Sequence, residues 1–134
     1  MYLIIVGAGA VTKQLIAIAR EQGYRVSVIE KQEKHARDIM QEFDVRVFHA
    51  DIAQGKILEE ADVKNANTII ATTKDDAVNL MAMMLGKHYQ VENLITMLQD
   101  KEHRTMFEKL GVQVLSNPEM LIAQKLFSFL DSEQ

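Results

Sequence analysis

Cysteine and tryptophan are absent from this sequence, and proline occurs once, at Pro118. Without cysteine there is no disulfide framework, no thiolate metal site and no thiol nucleophile. Positive charge is also sparse: 15 Lys and Arg stand against 19 Asp and Glu, a net charge of -4 with no basic cluster. Phosphate contacts along a nucleic acid need concentrated positive charge, so no nucleic-acid partner is expected. No apolar run approaches the roughly 18 residues of a membrane span, which argues against direct membrane insertion. The first strand pattern begins at Tyr2 and leaves no stretch for a signal peptide, so a cytoplasmic location is expected. The four histidines, His35, His49, His88 and His103, have no carboxylate or second histidine at metal-ligand spacing on one element. No metal site is expected, and these histidines read as surface or strand-end residues.

What remains is a chain of 134 residues, 48% hydrophobic, which suits one domain over 1-134 with a core between helices. Apolar β-rich runs at Tyr2 to Val6, Arg25 to Ile29, Val45 to His49, Asn67 to Ala71, Leu94 to Leu98 and Val112 to Leu115 predict six strands. Helical patterns lie between and after them, at Ala10 to Gln22, Lys31 to Phe43, Gln54 to Ala61, Lys74 to His88, Lys101 to Leu110 and Glu119 to Leu130. In the first helix Val11, Leu15, Ile18 and Ala19 are the expected inner stripe, and in the second Ala36, Ile39, Met40 and Phe43. Asp75 and Asp76 suit the first turn at the positive end of their helix, with an Asp or a Thr as its cap, and Asn117-Pro118 supplies a cap followed by proline at the first helical position. Six alternations predict an α/β, Rossmann-like, doubly wound parallel six-stranded sheet with helices on both faces. Ligands of such sheets sit at the carboxyl ends of strands where strand order reverses, here expected between the first and fourth strands.

The sequence YLIIVGAGAVT is strand, tight turn and helix start in that order. It approximates the dinucleotide fingerprint G-x-G-x-x-G: Gly7 makes the turn, and Gly9 lets backbone N–H groups approach a phosphate at the helix N-terminus. Thr12 stands where the third glycine is usual, which sets the helix slightly farther from the strand. A carboxylate follows at the end of the second strand, about 20 residues on, where Glu30 can accept bonds from ribose hydroxyls. Asp51, Thr72 and Thr73 end the third and fourth strands on the same side. The competing reading is a tight βα turn with no ligand.

Four blocks carry a resemblance: GAGAV, VIEKQ, the long middle block ADIAQGKILEEADVKNANTIIATTKDDAVNLMA, and NPEMLIAQ. Together they resemble the N-terminal domain of TrkA, also called the RCK or KTN domain, over nearly the whole chain. The resemblance implies a regulatory domain of potassium channels or transporters, working with a membrane subunit. Its implied ligand is an adenine nucleotide, NAD or NADH, with AMP or ATP as further candidates, sensed and not consumed. It also implies that Gly7 and Gly9 shape the phosphate loop, with the N–H groups of Ala10, Val11 and Thr12 facing the phosphates. Glu30 would hold the adenosine ribose, with Lys31 beside it but turned away if the helix begins there. Asp51 and Ile52 would lie by the adenine, and Thr72, Thr73 and Asp76 along the far side of the cleft. The sequence departs from the family at Thr12, at Ala50, and at Met97 and Gln99, where arginines that reach phosphates are common. Lys13 and Lys74 are then the remaining cations near the loop.

Two other functions compete. A small NAD-dependent oxidoreductase would need a substrate cleft and a proton donor, and no Tyr-x-x-x-Lys pair is present. A ligand-free scaffold is the other. No catalytic activity is expected. The last helix carries Met120, Leu121, Ile122, Leu126, Phe127, Phe129 and Leu130, more apolar surface than one face can bury, so a homodimer or higher symmetric assembly is expected. Met81, Met83 and Met84 are expected to divide between core and a subunit contact.

Overall fold

The computed structural model describes residues 1–54 and 56–131. Six strands, β1 (Tyr2–Val6), β2 (Arg25–Glu30), β3 (Arg46–His49), β4 (Thr68–Ala71), β5 (Asn93–Leu98) and β6 (Gln113–Ser116), form one sheet in the order β3-β2-β1-β4-β5-β6. All neighbours are parallel. The helices are α1 (Ala10–Glu21), α2 (Glu33–Glu42), α3 (Ile57–Glu60), α4 (Asp76–His88), α5 (Arg104–Lys109) and α6 (Pro118–Asp131), with 3-10 turns at Val63–Asn65 and Lys101–His103. The expected doubly wound α/β architecture is therefore the observed one, and strand order reverses between β1 and β4 as expected.

The two-residue repeat of β1 divides its side chains between two cores. Tyr2, Ile4 and Val6 join Ile69, Met83, Leu98 and Phe107 on one face, whereas Leu3 and Ile5 join Ile16, Val28 and Ile39 on the other. Register then sets the site. Val6 pairs with Ile29 on one side and Ala71 on the other, so the next residues along each strand, Gly7, Glu30 and Thr72, emerge side by side.

Several boundaries differ from expectation. The second helix begins at Glu33, two residues after Lys31, and the third is a single turn at Ile57–Glu60; Gly55, within the longer helix expected there, lies outside the described residues. The region expected as one helix from Lys101 splits into a 3-10 turn and α5. The inner face of α1 also differs: Thr12, Ile16 and Ala19 are buried, while Val11 is 46% and Ile18 59% exposed. A polar residue can occupy the inner stripe because its hydroxyl finds partners there, as described below. Met40 is likewise exposed, as are Met81 and Met84, whereas Met83 is fully buried. Both expected caps are present. The Asp75 carboxylate accepts from the N–H groups of Ala77 and Val78, and the Asn117 amide oxygen from that of Met120.

Candidate functional site

A cavity of about 760 Å³ opens over the carboxyl ends of β1 and β4, well within the roughly 300–1,000 Å³ of small-molecule sites. Its floor and near wall are the Gly7 to Val11 turn, Glu30 to Gln32 with His35, and Ala50 to Ile52. Its far wall is Thr72 to Asp75 with Val78, Met97 and Gln99, and α6 contributes Pro118, Glu119 and Ile122.

The turn is built around two glycines with different reasons. At Gly7 φ is +121°, and an added Cβ would lie 2.4 Å from Thr72 Oγ1, so no other residue fits. At Gly9 an added Cβ would meet nothing within 4 Å, and its absence leaves open space over the start of α1. The first bond into that helix runs from Lys13 N–H to the Gly9 carbonyl, 3.2 Å. The N–H groups of Ala10, Val11 and Thr12 therefore have no intrahelical acceptor, and Gly9 offers no capping side chain. Of these, Ala10 and Val11 line the cavity whereas Thr12 is fully buried, so two free donors at the positive end of a helix, beside a glycine that leaves room, make a cradle for an anion such as a phosphate.

Glu30 ends β2 at the cleft and is 9% exposed. One carboxylate oxygen accepts from Gln32 N–H at 2.7 Å, and no other described donor reaches the group. Asp51 fixes its own loop by accepting from Ala53 N–H at 2.9 Å, and Ile52 is buried into the core below it. Lys31 does not turn away. Because α2 starts at Glu33, Lys31 stays on the rim of the cleft with its ammonium 3.8 Å from Asp51 Oδ2.

The threonines are placed as expected but committed internally. The Thr12 hydroxyl is fully buried, donates to the Gly7 carbonyl at 2.8 Å and lies 2.8 Å from the Thr72 hydroxyl. Since Thr12 gives its only proton to Gly7, Thr72 donates to Thr12. Thr12 thus ties α1 to the turn instead of lining the cavity. The Thr73 hydroxyl bonds Asn79 Oδ1 at 2.6 Å. Neither Thr72 nor Thr73 keeps a free hydroxyl proton for a ligand.

Asp76 also lies outside the cavity lining. Its carboxylate accepts from the N–H groups of Gln99 and Asp100, at 2.8 and 3.0 Å, and meets His103 Nδ1 at 2.8 Å. Burial opposes its charge, but these donors outweigh burial and hold its carboxyl below the usual value. The bond to Asp76 in turn raises the His103 imidazole against partial burial, with Asp100 adding to the effect. Among the cations, Lys13 pairs with Glu42 at 3.1 Å, whereas Lys74 lines the cavity.

Reading by residue type missed His35, Val78 and the α6 residues Pro118, Glu119 and Ile122. The only local signal for the last group was the Asn117-Pro118 turn at the carboxyl end of β6. Among the described residues, no cluster of His, Cys, Asp or Glu could hold a metal ion. Among them, too, no helix is long and apolar enough to cross a membrane.

The same fold recurs in known proteins. A Trk system potassium uptake protein TrkA homologue of Pyrococcus horikoshii is 31% identical in an alignment of 137 positions that covers 97% of this chain and 60% of the homologue. The chain spans about three fifths of the length of the curated relatives it matches. The crystal structure of the TrkA-N domain of the inner membrane protein ybaL of Escherichia coli superimposes with a TM-score of 0.84, at 18% identity over 96% of each chain. The GsuK channel bound to NAD does so with a TM-score of 0.75, at 18% identity, over 85% of this chain and 21% of the channel chain. The family description "TrkA-N domain" matches residues 3–118, and the chain belongs to the TrkA-N domain family.

Proposed function

We propose that this chain is a regulatory nucleotide-binding domain that senses an adenine nucleotide, NAD or NADH by preference and AMP or ATP as alternatives, and passes its state to the membrane subunit of a potassium channel or transporter. It acts at the cytoplasmic face of the membrane through that partner and does not consume its ligand. The observation that carries this reading is convergence: the free N–H groups of Ala10 and Val11, the open space at Gly9 and the Glu30 carboxylate meet in one 760 Å³ cavity at the point where strand order reverses. A phosphate suits the helix start, and a ribose diol suits Glu30. Asp51 and Ile52 are left to flank the base, with Lys31 near the ribose. When bound, the nucleotide would supply differential contacts that favour one conformation of the assembly over another. The family's potassium-transport relatives and the NAD-bound channel of the same fold support the reading.

The proposed route out of the site is α6. Every residue from Glu119 to Leu130 is exposed, including Leu126 at 62% and Phe127 at 65%. At about 100° per residue its apolar side chains point all round the axis, the pattern of a helix enclosed by protein. Covering such side chains gains roughly 1.5–3 kcal/mol each, enough to sustain a homodimer or higher symmetric assembly. Ile122 lines the nucleotide cavity from this same helix, so occupancy and subunit packing share an element.

Native mass spectrometry of the purified chain tests both parts. The reading expects one nucleotide per chain, as purified or after mixing with NADH, and a dimeric or larger species. A bare monomer that takes up no nucleotide would overturn it. Sustained NADH oxidation with a panel of carbonyl substrates would replace the sensor with an oxidoreductase.

A further inference from the structure

Asn79 is fully buried at the end of the first turn of α4, and both ends of its amide are in use. Its oxygen accepts from Thr73 N–H at 3.2 Å and from the Thr73 hydroxyl at 2.6 Å. Its nitrogen donates to the Thr73 carbonyl and to the Met97 carbonyl, each at 3.0 Å. One side chain therefore closes all three polar groups of Thr73 onto the carboxyl end of β5. Asp76, three residues earlier and so on the same face of α4, holds the next stretch of that chain through the N–H groups of Gln99 and Asp100. Thr73, Met97 and Gln99 belong to the far wall of the cavity, and they come from the turn after β4 and the end of β5, with no other side chain hydrogen-bonded to both Thr73 and Met97 among the described residues.

Resting on the nucleotide reading above, we propose that Asn79 is a positioning residue for the distal half of a dinucleotide. It touches no ligand. It fixes the distance between the β4–α4 turn and the end of β5, and with it the width of the cleft beyond the phosphate loop. A mononucleotide needs only the near half: Glu30, Asp51, Ile52 and the start of α1. A dinucleotide must also fit between Thr73, Met97 and Gln99. The role thus separates ligands by length, which general loss of stability would not do.

The test is calorimetric titration of AMP and of NADH into the full chain and into two variants, Asn79→Ser and Thr73→Val. The second keeps the shape of Thr73 and removes its hydroxyl, which meets Asn79 Oδ1 and also the Asp75 backbone, at a half-buried loop position, so it remains informative should the first fail to fold. Both folded variants are expected to weaken NADH by tenfold or more while AMP stays within about twofold of the unmutated protein. Equal weakening of AMP and NADH, or NADH affinity unchanged in a variant with a native circular dichroism spectrum, would overturn the role of Asn79. If the unmutated protein binds neither nucleotide, the functional reading itself fails, a result that cannot be confused with the first two.

Discussion

The hydroxyl of Thr12 sits where the dinucleotide fingerprint has its third glycine, and the structure gives it a task that glycine cannot perform. Replacing it by valine preserves shape and leaves no cavity, so the change isolates the hydroxyl. Two bonds of 2.8 Å are lost, one to the Gly7 carbonyl and one to the Thr72 hydroxyl. Thr72 can fall back on the Val6 carbonyl at 3.3 Å, but no other described donor reaches the Gly7 carbonyl. A buried acceptor stripped of its partner costs about 1–3 kcal/mol. At roughly 2.1 cal/mol/K per residue of unfolding entropy, that lowers Tm by about 4–11 °C for a chain of this length. Thr12→Gly, which restores the usual fingerprint, should cost more than Thr12→Val, because it adds lost burial and a helix-propensity penalty of roughly 0.3–0.5 kcal/mol. Thr12→Ser keeps the hydroxyl and should lose least. Thermal unfolding followed by circular dichroism gives the ranking. If Thr12→Gly is as stable as the unmutated protein, the hydroxyl pair is incidental and the reasoning fails.

Three further predictions concern other parts of the molecule. Phe127→Glu puts charge on an apolar α6 face that is 65% exposed in the single chain and should convert the assembly to monomers in analytical ultracentrifugation; an unchanged sedimentation coefficient would exclude α6 from the interface. The His103 imidazole is favoured in its charged form by Asp76, so its folded pKa lies above the ordinary value of about 6.5. Its contribution to stability is full below that value and lost as pH rises through the raised one, while Asp76 stays ionised throughout. Urea unfolding at about pH 5.5 and pH 8.5 should therefore show a larger fall in stability with rising pH for the unmutated protein than for His103→Gln. Finally, Lys13 is engaged by Glu42, leaving Lys74 and the α1 dipole, worth about 0.3–1 kcal/mol per exposed interaction, to meet phosphates. ATP should bind no more tightly than AMP or NADH, and a tenfold preference for ATP by calorimetry would contradict this.

Features encoded within a few residues were legible in the sequence. The strand-turn-helix at Tyr2 to Thr12, the acid at Glu30, the caps at Asp75 and Asn117 and the alternation of elements all depend on local spacing, and a parallel sheet follows from the alternation. Features that depend on residues far apart were not. The Thr12 and Thr72 hydroxyls are 60 positions apart, so Thr12 read as a deviation from a fingerprint when it is a tether. The family resemblance implied a cleft position for Asp76, yet its partners Gln99, Asp100 and His103 lie some two dozen residues on and turn it to the back of the wall. The α1 stripe was misjudged because Val11 and Ile18 are as apolar as the buried Ile16; only the docking of the helix decides between such faces. Lys31 was misjudged through a helix boundary displaced by two residues.

The central claim is that Glu30 and the start of α1 form an adenine-nucleotide site, and calorimetric titration of NADH and NADPH into the unmutated chain and into Glu30→Ala tests it most directly. Each charge-assisted bond from a ribose hydroxyl to Glu30 is worth on the order of 1.5–3 kcal/mol, whereas a 2′-phosphate at the same distance meets about 4 kcal/mol of repulsion at an effective dielectric near 20. Lys31, shared with Asp51 at 3.8 Å, offsets only part of that. The account predicts one NADH per chain, much weaker NADPH, and a loss of tenfold or more for NADH in Glu30→Ala with a narrower gap to NADPH. Equal affinity for the two in the unmutated protein, or NADH binding untouched by Glu30→Ala, would contradict it.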